Sequence, residues 1–473
     1  MGIHGAHKGS LHYVILRRLF DRLQIDKTLA YALSTRIWQA VSGPVTIALV
    51  VKMLDEDETG VFSVLIGILN IQTLFELGLL NVLIGHAGHA ATAIKQADSA
   101  SPTNREATQA HARMGELIRA SRLWFAGASV LFALFSFAIG WYTLTNSDTQ
   151  TAWQQPLFAI VPIVALTVFF SPSLAILEGS GERELIYRFA FYTRFMGSFA
   201  VWMTLLLGFG IWALVVSALV QTLWTGYLPL VHRSSFFKRF GDTSTKSTEF
   251  SWTKDVVPAQ WRAAAVSASY HFATQYFAII LAAYHTTADA GRLGLTLMVT
   301  GAIQMMALAW AQTKFSVISA QHAAGDREGA GTLWRRTALI SSSLLILAFA
   351  VLTILLTLLP TLRTVLESWG MKDRDLASRF ITPTQCAVFG IACLANHFIA
   401  LQGFYVLARK ANPLVVSSVV GFGSTALIVW IGGIWYAIDG IVIGFAIGMA
   451  LIALPLHTIA YLRFRAHATD SAA

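Results

Sequence analysis

The chain has 473 residues, 55% of them hydrophobic and only 12% charged, with a mean hydropathy of +0.60. Soluble proteins carry roughly 25% charged residues, so this chain has too few charges to solvate its surface and reads as an integral membrane protein. The formal net charge of +9 does not point to nucleic acid, because the basic residues sit in short clusters between apolar runs, as membrane topology signals do.

Residues 1–30 come first. Leu11, Val14, Ile15, Leu19 and Leu23 share a helical face, and Arg17, Arg18, Arg22 and Lys27 charge the remainder. That pattern suits an amphipathic helix on the anionic cytoplasmic leaflet; a solvated leader is the plainer alternative. The segment lacks the apolar core and small-residue cleavage site of a signal peptide, so it is expected to remain attached.

A span needs ~20 apolar residues to cross ~30 Å of hydrocarbon. Twelve are expected, near 33–53, 61–85, 121–144, 157–178, 187–208, 211–231, 262–284, 293–318, 337–359, 380–404, 413–435 and 440–462, within a range of ten to fourteen. Tight turns at Gly208-Phe209-Gly210 and around Gly432-Gly433 must split two long apolar runs. The positive-inside rule places both termini in the cytoplasm, since 1–30, 86–122, 179–188, 232–262, 320–336, 405–412 and the tail hold most of the 34 Lys and Arg. The segment 361–379 is the exception, with Arg363, Lys372, Arg374 and Arg379 on the outer side. Ala91 to His111 reads as a loop or short surface helix.

The polar stretch 232–260 divides the chain into a six-helix lobe at 31–231 and another at 261–462, followed by a tail at 463–473. A short internal echo agrees with that division. Glu58-Thr59-Gly60 and Ile71-Gln72 are matched by Asp289-Ala290-Gly291 and Ile303-Gln304, with Gly60 and Gly291 standing 231 positions apart. An even number of spans per half implies parallel repeats about an axis along the membrane normal, as in two-lobed alternating-access carriers. The fold class is therefore all-α, with about twelve transmembrane helices in two lobes around a central cavity.

Charged and polar side chains inside spans are the candidate site residues, because charge in hydrocarbon costs ~2.5–3.5 kcal/mol and must face protein or water. Arg36 lies about one turn into the first span and either snorkels to the interface or faces the cavity. Glu76 is ~13 Å from the cytoplasmic end of the second span, with Gln72 on the same face; a structural ion pair is the alternative to a cavity role. Arg194 and Lys314 are cations within the fifth and eighth spans, and Gln304 shares an arc with Lys314. His271 and Gln275 on the seventh span and Asn396 on the tenth would line a second-lobe cavity or bond neighbouring helices. Converging cations would favour an anionic substrate such as a diphosphate.

Chemistry of other kinds has no motif here. There is no GxxxxGK[ST] loop for ATP, and His86 and His89 lack partners at metal-ligand spacing, so neither a metal nor a cofactor is expected. Cys386 and Cys393, seven residues apart on a helix, stand ~10 Å apart, beyond the ~7 Å limit for a disulfide. No outer loop is long enough to carry the acid and base of an enzyme acting on lipid-linked sugars.

The first two spans, RIWQAVSGPVTIALVVKML, an acid-Gly turn, then IQTLFELGLLNVLIGHAGH, resemble bacterial polysaccharide biosynthesis proteins of the O-antigen flippase type. These belong to the multidrug/oligosaccharidyl-lipid/polysaccharide exporter superfamily. The resemblance is clearest over about residues 30–90 and continues as topology. It implies two lobes forming a V and an undecaprenyl-diphosphate-linked oligosaccharide moved across the bacterial inner membrane. It also implies a cationic cavity, which Arg36, Arg194 and Lys314 match in character. Implied partners are the lipid-linked substrate, membrane lipid, and polysaccharide polymerase or assembly proteins; H+ or Na+ is the coupling ion if transport is coupled, with Glu76 the candidate carboxylate. A drug or organic-cation antiporter and a non-transporting export subunit stand as alternatives.

Overall fold

The computed structural model describes residues 27–76, 78–99, 104–241, 251–361, 376–408 and 413–470. The amphipathic segment expected before residue 27, the middle of the 232–260 connector and most of 361–379 lie outside those residues. Every regular element among the described residues is helical.

The first half begins with α1 (Lys27–Met53), whose internal Pro44 is tolerated within a bundle. Asp55 then accepts from the Glu58 amide at 2.7 Å while Glu58 accepts from the Asp55 amide at 3.0 Å, a reciprocal cap that starts α2 (Glu56–Asn70). After a break come the short α3 (Gln72–Glu76) and α4 (Leu79–Ser99). α5 (Asn104–Thr145), α6 (Gln154–Gly179), α7 (Arg183–Leu206) and α8 (Trp212–Tyr227) complete it, followed by α9 (Ser234–Gly241). The turn expected at 208–210 separates α7 from α8, with Gly208 at φ +79° and Gly210 at φ +54°.

The second half holds α10 (Val257–Thr274), α11 (Phe277–Tyr284), α12 (Thr287–Ala323), α13 (Arg327–Leu358) and α14 (Pro383–Ala408). Last come α15 (Val415–Ile447) and α16 (Leu454–Asp470). Eight helical runs among the described residues are long and apolar enough to cross a membrane on those grounds alone. One of them, Val415–Ala466, reverses at Tyr436 and Ala437 and makes two passes. Contact of Gly432 with Gly440, and of Gly448 with Thr425, shows that its two legs run antiparallel. α1, α7 and the broken α10–α11 rod pack alongside these runs.

Ala91 to His111 differs from its expectation. α4 continues to Ser99 and α5 starts at Asn104, so both helices run on beyond the apolar spans. Their extensions bury Ala90, Ile94 and Ala97 on one side and Ala110, Met114 and Leu117 on the other. Spacings of three and four give each extension an apolar stripe, and pairing the stripes stabilises helix where composition suggests loop.

Packing sorts the helices into two groups. α1 lies on α7, α6 on α4, α5 and α8, and α7 on α8; α10 lies on α15, α12 on α13 and α14, and α14 on α15 and α16. Contact between the groups is concentrated where α2 meets α11 and α12. Cys386 and Cys393 are both free and buried.

Candidate functional site

The seam between the halves is built from small residues. A methyl group on Gly60 would overlap the Thr287 carbonyl, and one on Gly294 would overlap the Ser63 hydroxyl. One on Gly291 would stand 3.0 Å from the Gly60 amide and 3.3 Å from the Glu56 carbonyl. Because Gly60 corresponds to Gly291 in the internal echo, and Glu56 to Thr287 at the same offset, the contacts are reciprocal. This is the geometry of a pseudo-twofold axis passing between α2 and α12.

The end of the seam beside the α1–α2 turn is clasped by polar groups. Asp57 accepts from Thr149, from Thr151 at 2.7 Å and from the amides of Gln150 and Thr151, all within its own half. Its other oxygen lies 2.7 Å from the Thr287 hydroxyl, whose amide donates to Asp148 at 3.0 Å. Arg379, only 4% exposed, donates to the carbonyls of Val51 and Leu54 at the end of α1, where the helix dipole favours a cation. Ser378 donates to Glu56 at 2.8 Å.

Further along the seam both α2 and α10 break. α2 ends at Ile71, and Gly78, at φ +67°, separates α3 from α4; α10 stops at Gln275 and α11 restarts after Tyr276. Beside these breaks is a cavity of about 260 Å3. Its polar lining is Ser63, Asn70, Tyr270, Thr274, Gln275, Thr300, Gln304 and Asn396, drawn from both halves and containing no carboxylate and no cation. The Asn70 amide donates across the seam to Gln275 at 2.9 Å, and Gln275 donates to Thr274 at 3.3 Å. Asn396 donates to the Tyr270 hydroxyl at 3.4 Å, and Gln304 to the Thr300 carbonyl at 3.4 Å. Discontinuous helices with polar groups near the midplane are where carriers place substrates. The chemistry available is hydrogen bonding to a neutral, hydroxyl-rich ligand.

Of the sequence candidates, Gln275, Gln304 and Asn396 line this cavity, whereas Arg36, Gln72, Glu76, Arg194, His271 and Lys314 do not. Arg36 reaches from α1 across the seam to Gln312 at 3.3 Å, so it bridges the halves. Gln72 and Glu76 ride on α3, between the end of α2 and Gly78, and Glu76 has no cation within 4.0 Å among the described residues. Arg194 faces a separate pocket of about 120 Å3 inside the first half, with Thr46, Thr193, Ser198, Ser217 and Gln221. His271 Nδ1 lies 3.1 Å from the Ser267 carbonyl, one turn back on its own helix. The Lys314 ammonium lies over the Trp310 ring at 5.6 Å. Sequence reasoning missed Ser63, Asn70, Tyr270 and Thr300; Asn70 stands one residue before the Ile71-Gln72 half of the echo, which was its available signal.

No family model matches this sequence, and no curated protein matches it. Solved structures do resemble it. An inward-facing multidrug resistance MATE family transporter of the MOP superfamily superposes with a TM-score of 0.59 at 12% identity, covering 90% of this chain and 95% of its own. The lipid II flippase MurJ, in an inward closed conformation, gives 0.57 at 10% identity over 91% of this chain and 87% of its own. A MATE protein in complex with MaD3S gives 0.51 at 14% identity over 93% and 97%. The protein is thus a multi-pass, all-α membrane protein with the fold that these transporters and this flippase share. At such identities the likeness establishes the fold alone.

Proposed function

We propose that this protein is a transporter of the multidrug/oligosaccharidyl-lipid/polysaccharide exporter superfamily. In this reading it carries an undecaprenyl-diphosphate-linked oligosaccharide across the bacterial inner membrane, both termini cytoplasmic, for surface polysaccharide or lipopolysaccharide synthesis. The observation that supports it is the uncharged amide- and hydroxyl-lined cavity at the seam between the halves. A cation carrier needs a carboxylate there to offset desolvation of its cargo, whereas sugar hydroxyls need donors and acceptors of the kind present. The cavity falls slightly below the roughly 300–1,000 Å3 of small-ligand pockets, so admitting a glycan requires the halves to part along α2 and α12. Arg36, Arg194 and Lys314 are the candidate partners of the diphosphate, with the prenyl tail left in lipid. Glu76, which has no cation within 4.0 Å among the described residues, is the candidate site for a coupling proton or Na+.

The test is leaflet transfer of a fluorescent undecaprenyl-diphosphate-linked sugar in proteoliposomes, comparing wild type with Gln275→Leu, Asn396→Leu and Arg194→Ala. Protein-dependent transfer that the cavity variants abolish supports the proposal. No transfer with several glycans, together with ion-coupled efflux of organic cations, would overturn it in favour of an antiporter.

A further inference from the structure

Arg194 stands ~16 Å along α7 from Arg183, about half-way through ~30 Å of hydrocarbon, and no acid lies within 4.0 Å of it among the described residues. Its face of the helix is turned to protein. Gly197, Val201 and Leu205 follow it at spacings of three and four and are buried, whereas Tyr192, Met196, Phe199 and Met203 are exposed on the opposite, lipid-facing side. The guanidinium therefore belongs to the pocket of about 120 Å3 that α7 forms with Thr46 of α1 and with Ser217 and Gln221, one turn apart on α8.

Most hydroxyls of this pocket are already committed. Thr46 donates to the Ser42 carbonyl at 2.9 Å, Thr193 to the Phe189 carbonyl at 2.8 Å and Ser198 to the Arg194 carbonyl at 2.9 Å. Thr46 also accepts from the Trp202 indole at 2.8 Å, and Ser198 from the Trp38 indole at 3.2 Å. Three side chains are left with no hydrogen bond or ion pair among the described residues, namely Arg194, Ser217 and Gln221, and all three line the pocket. Each of them can donate, and together they carry one positive charge. We propose that this pocket holds one small monovalent inorganic anion, of the class of chloride, on Arg194, Ser217 and Gln221.

Charge and size select that class. A cation at this depth requires a counter-charge, which water does not supply and the carboxylate-free lining does not contain. One guanidinium neutralises one negative charge, and a phosphate or sulfate dianion would leave a second one uncompensated in a poorly polarisable site. The pocket is worth about four water volumes at ~30 Å3 each, which suits a small ion with a few waters and excludes a sugar. The site is separate from the seam cavity and does not depend on what that cavity carries; a diphosphate reaching Arg194 would displace the ion.

The purified full-length protein in uncharged detergent would be titrated with radiolabelled chloride against a gluconate background, with bromide, sulfate or inorganic phosphate as competitor. Saturable binding of one chloride per chain, displaced by bromide and poorly by sulfate or phosphate, is expected. A hydrogen bond to a charged partner is worth about tenfold or more, so Gln221→Leu and Ser217→Ala should each weaken binding about tenfold and Arg194→Gln more than either. Lys52→Gln, exposed on α1 outside the pocket, should leave binding unchanged. Should Arg194→Gln lose its fold, the two α8 variants carry the test with the charge in place. No saturable chloride binding, binding that survives these substitutions, an equal loss in Lys52→Gln, or sulfate competing as well as bromide would each overturn the proposal. Since no lipid-linked sugar is present, failure here leaves the glycan reading untouched, and failure of glycan transfer leaves this result standing.

Discussion

Two stretches of the same seam behave differently. Near Gly60 and Gly291, α2 and α12 meet backbone to side chain with no room for a methyl group, and carboxylates, hydroxyls and an arginine lock the contact. Near Asn70 and Gln275 the helices break, a cavity opens, and only amides span the gap. Both stretches lie beside one pseudo-twofold axis, yet one is close-packed and the other hollow. Small residues at spacings of three and four make a seam that closes, whereas interrupted helices make one that stays open. The first should therefore govern stability and the second transport.

The largest effect should come from filling the close-packed end. Gly60→Val forces a branched side chain into the Thr287 backbone and should cost about 3 kcal/mol or more, read as a fall in thermal unfolding temperature; an unchanged midpoint would sink the seam as described. Next is Arg379→Met, which leaves the carbonyls of Val51 and Leu54 without their guanidinium donor. A loss of about 1–3 kcal/mol is expected, again in the unfolding midpoint. Thr287→Val removes the hydroxyl between Asp57 and Asp148 but keeps the amide bond to Asp148, so about 1 kcal/mol should be lost.

At the hollow end the same measurement should hardly move. Asn396→Leu gives up one long bond of 3.4 Å and should change stability by less than about 0.5 kcal/mol while abolishing transfer if the proposed glycan transport holds; a stability loss equal to that of Arg379→Met would erase the contrast. A control lies outside the seam. Ala437, at φ 51° and ψ −134° in the last hairpin, occupies a conformation suited to glycine, so Ala437→Gly should raise stability by about 1 kcal/mol.

Much of this architecture was legible in the sequence because bilayer crossing imposes its own arithmetic. Apolar length, the turn at 208–210 and the division of basic residues follow from hydrocarbon thickness and membrane potential, without reference to neighbours. The echo at Gly60 and Gly291 was legible too, although only as a repeat. That the two copies pack on each other is a property of the assembled halves.

The cavity was legible only in part, because hydropathy locates a polar residue along a helix and does not say which helix it meets. Gln275, Gln304 and Asn396 stood out as polar groups in apolar spans. Asn70, by contrast, acquires its role from a break one residue later and a partner on α10. The arginines show the reverse case. Charge in a span announced Arg36 and Arg194 as exceptional, but one crosses the seam to Gln312 and the other faces a pocket inside the first half. Sequence by itself determined an all-α membrane protein with polar residues inside its spans, since those features are written in composition and apolar length. Tertiary structure alone decided where the halves touch, where the helices break and which side chains share a cavity, since these depend on contacts between residues some 200 positions apart, such as Asn70 and Gln275.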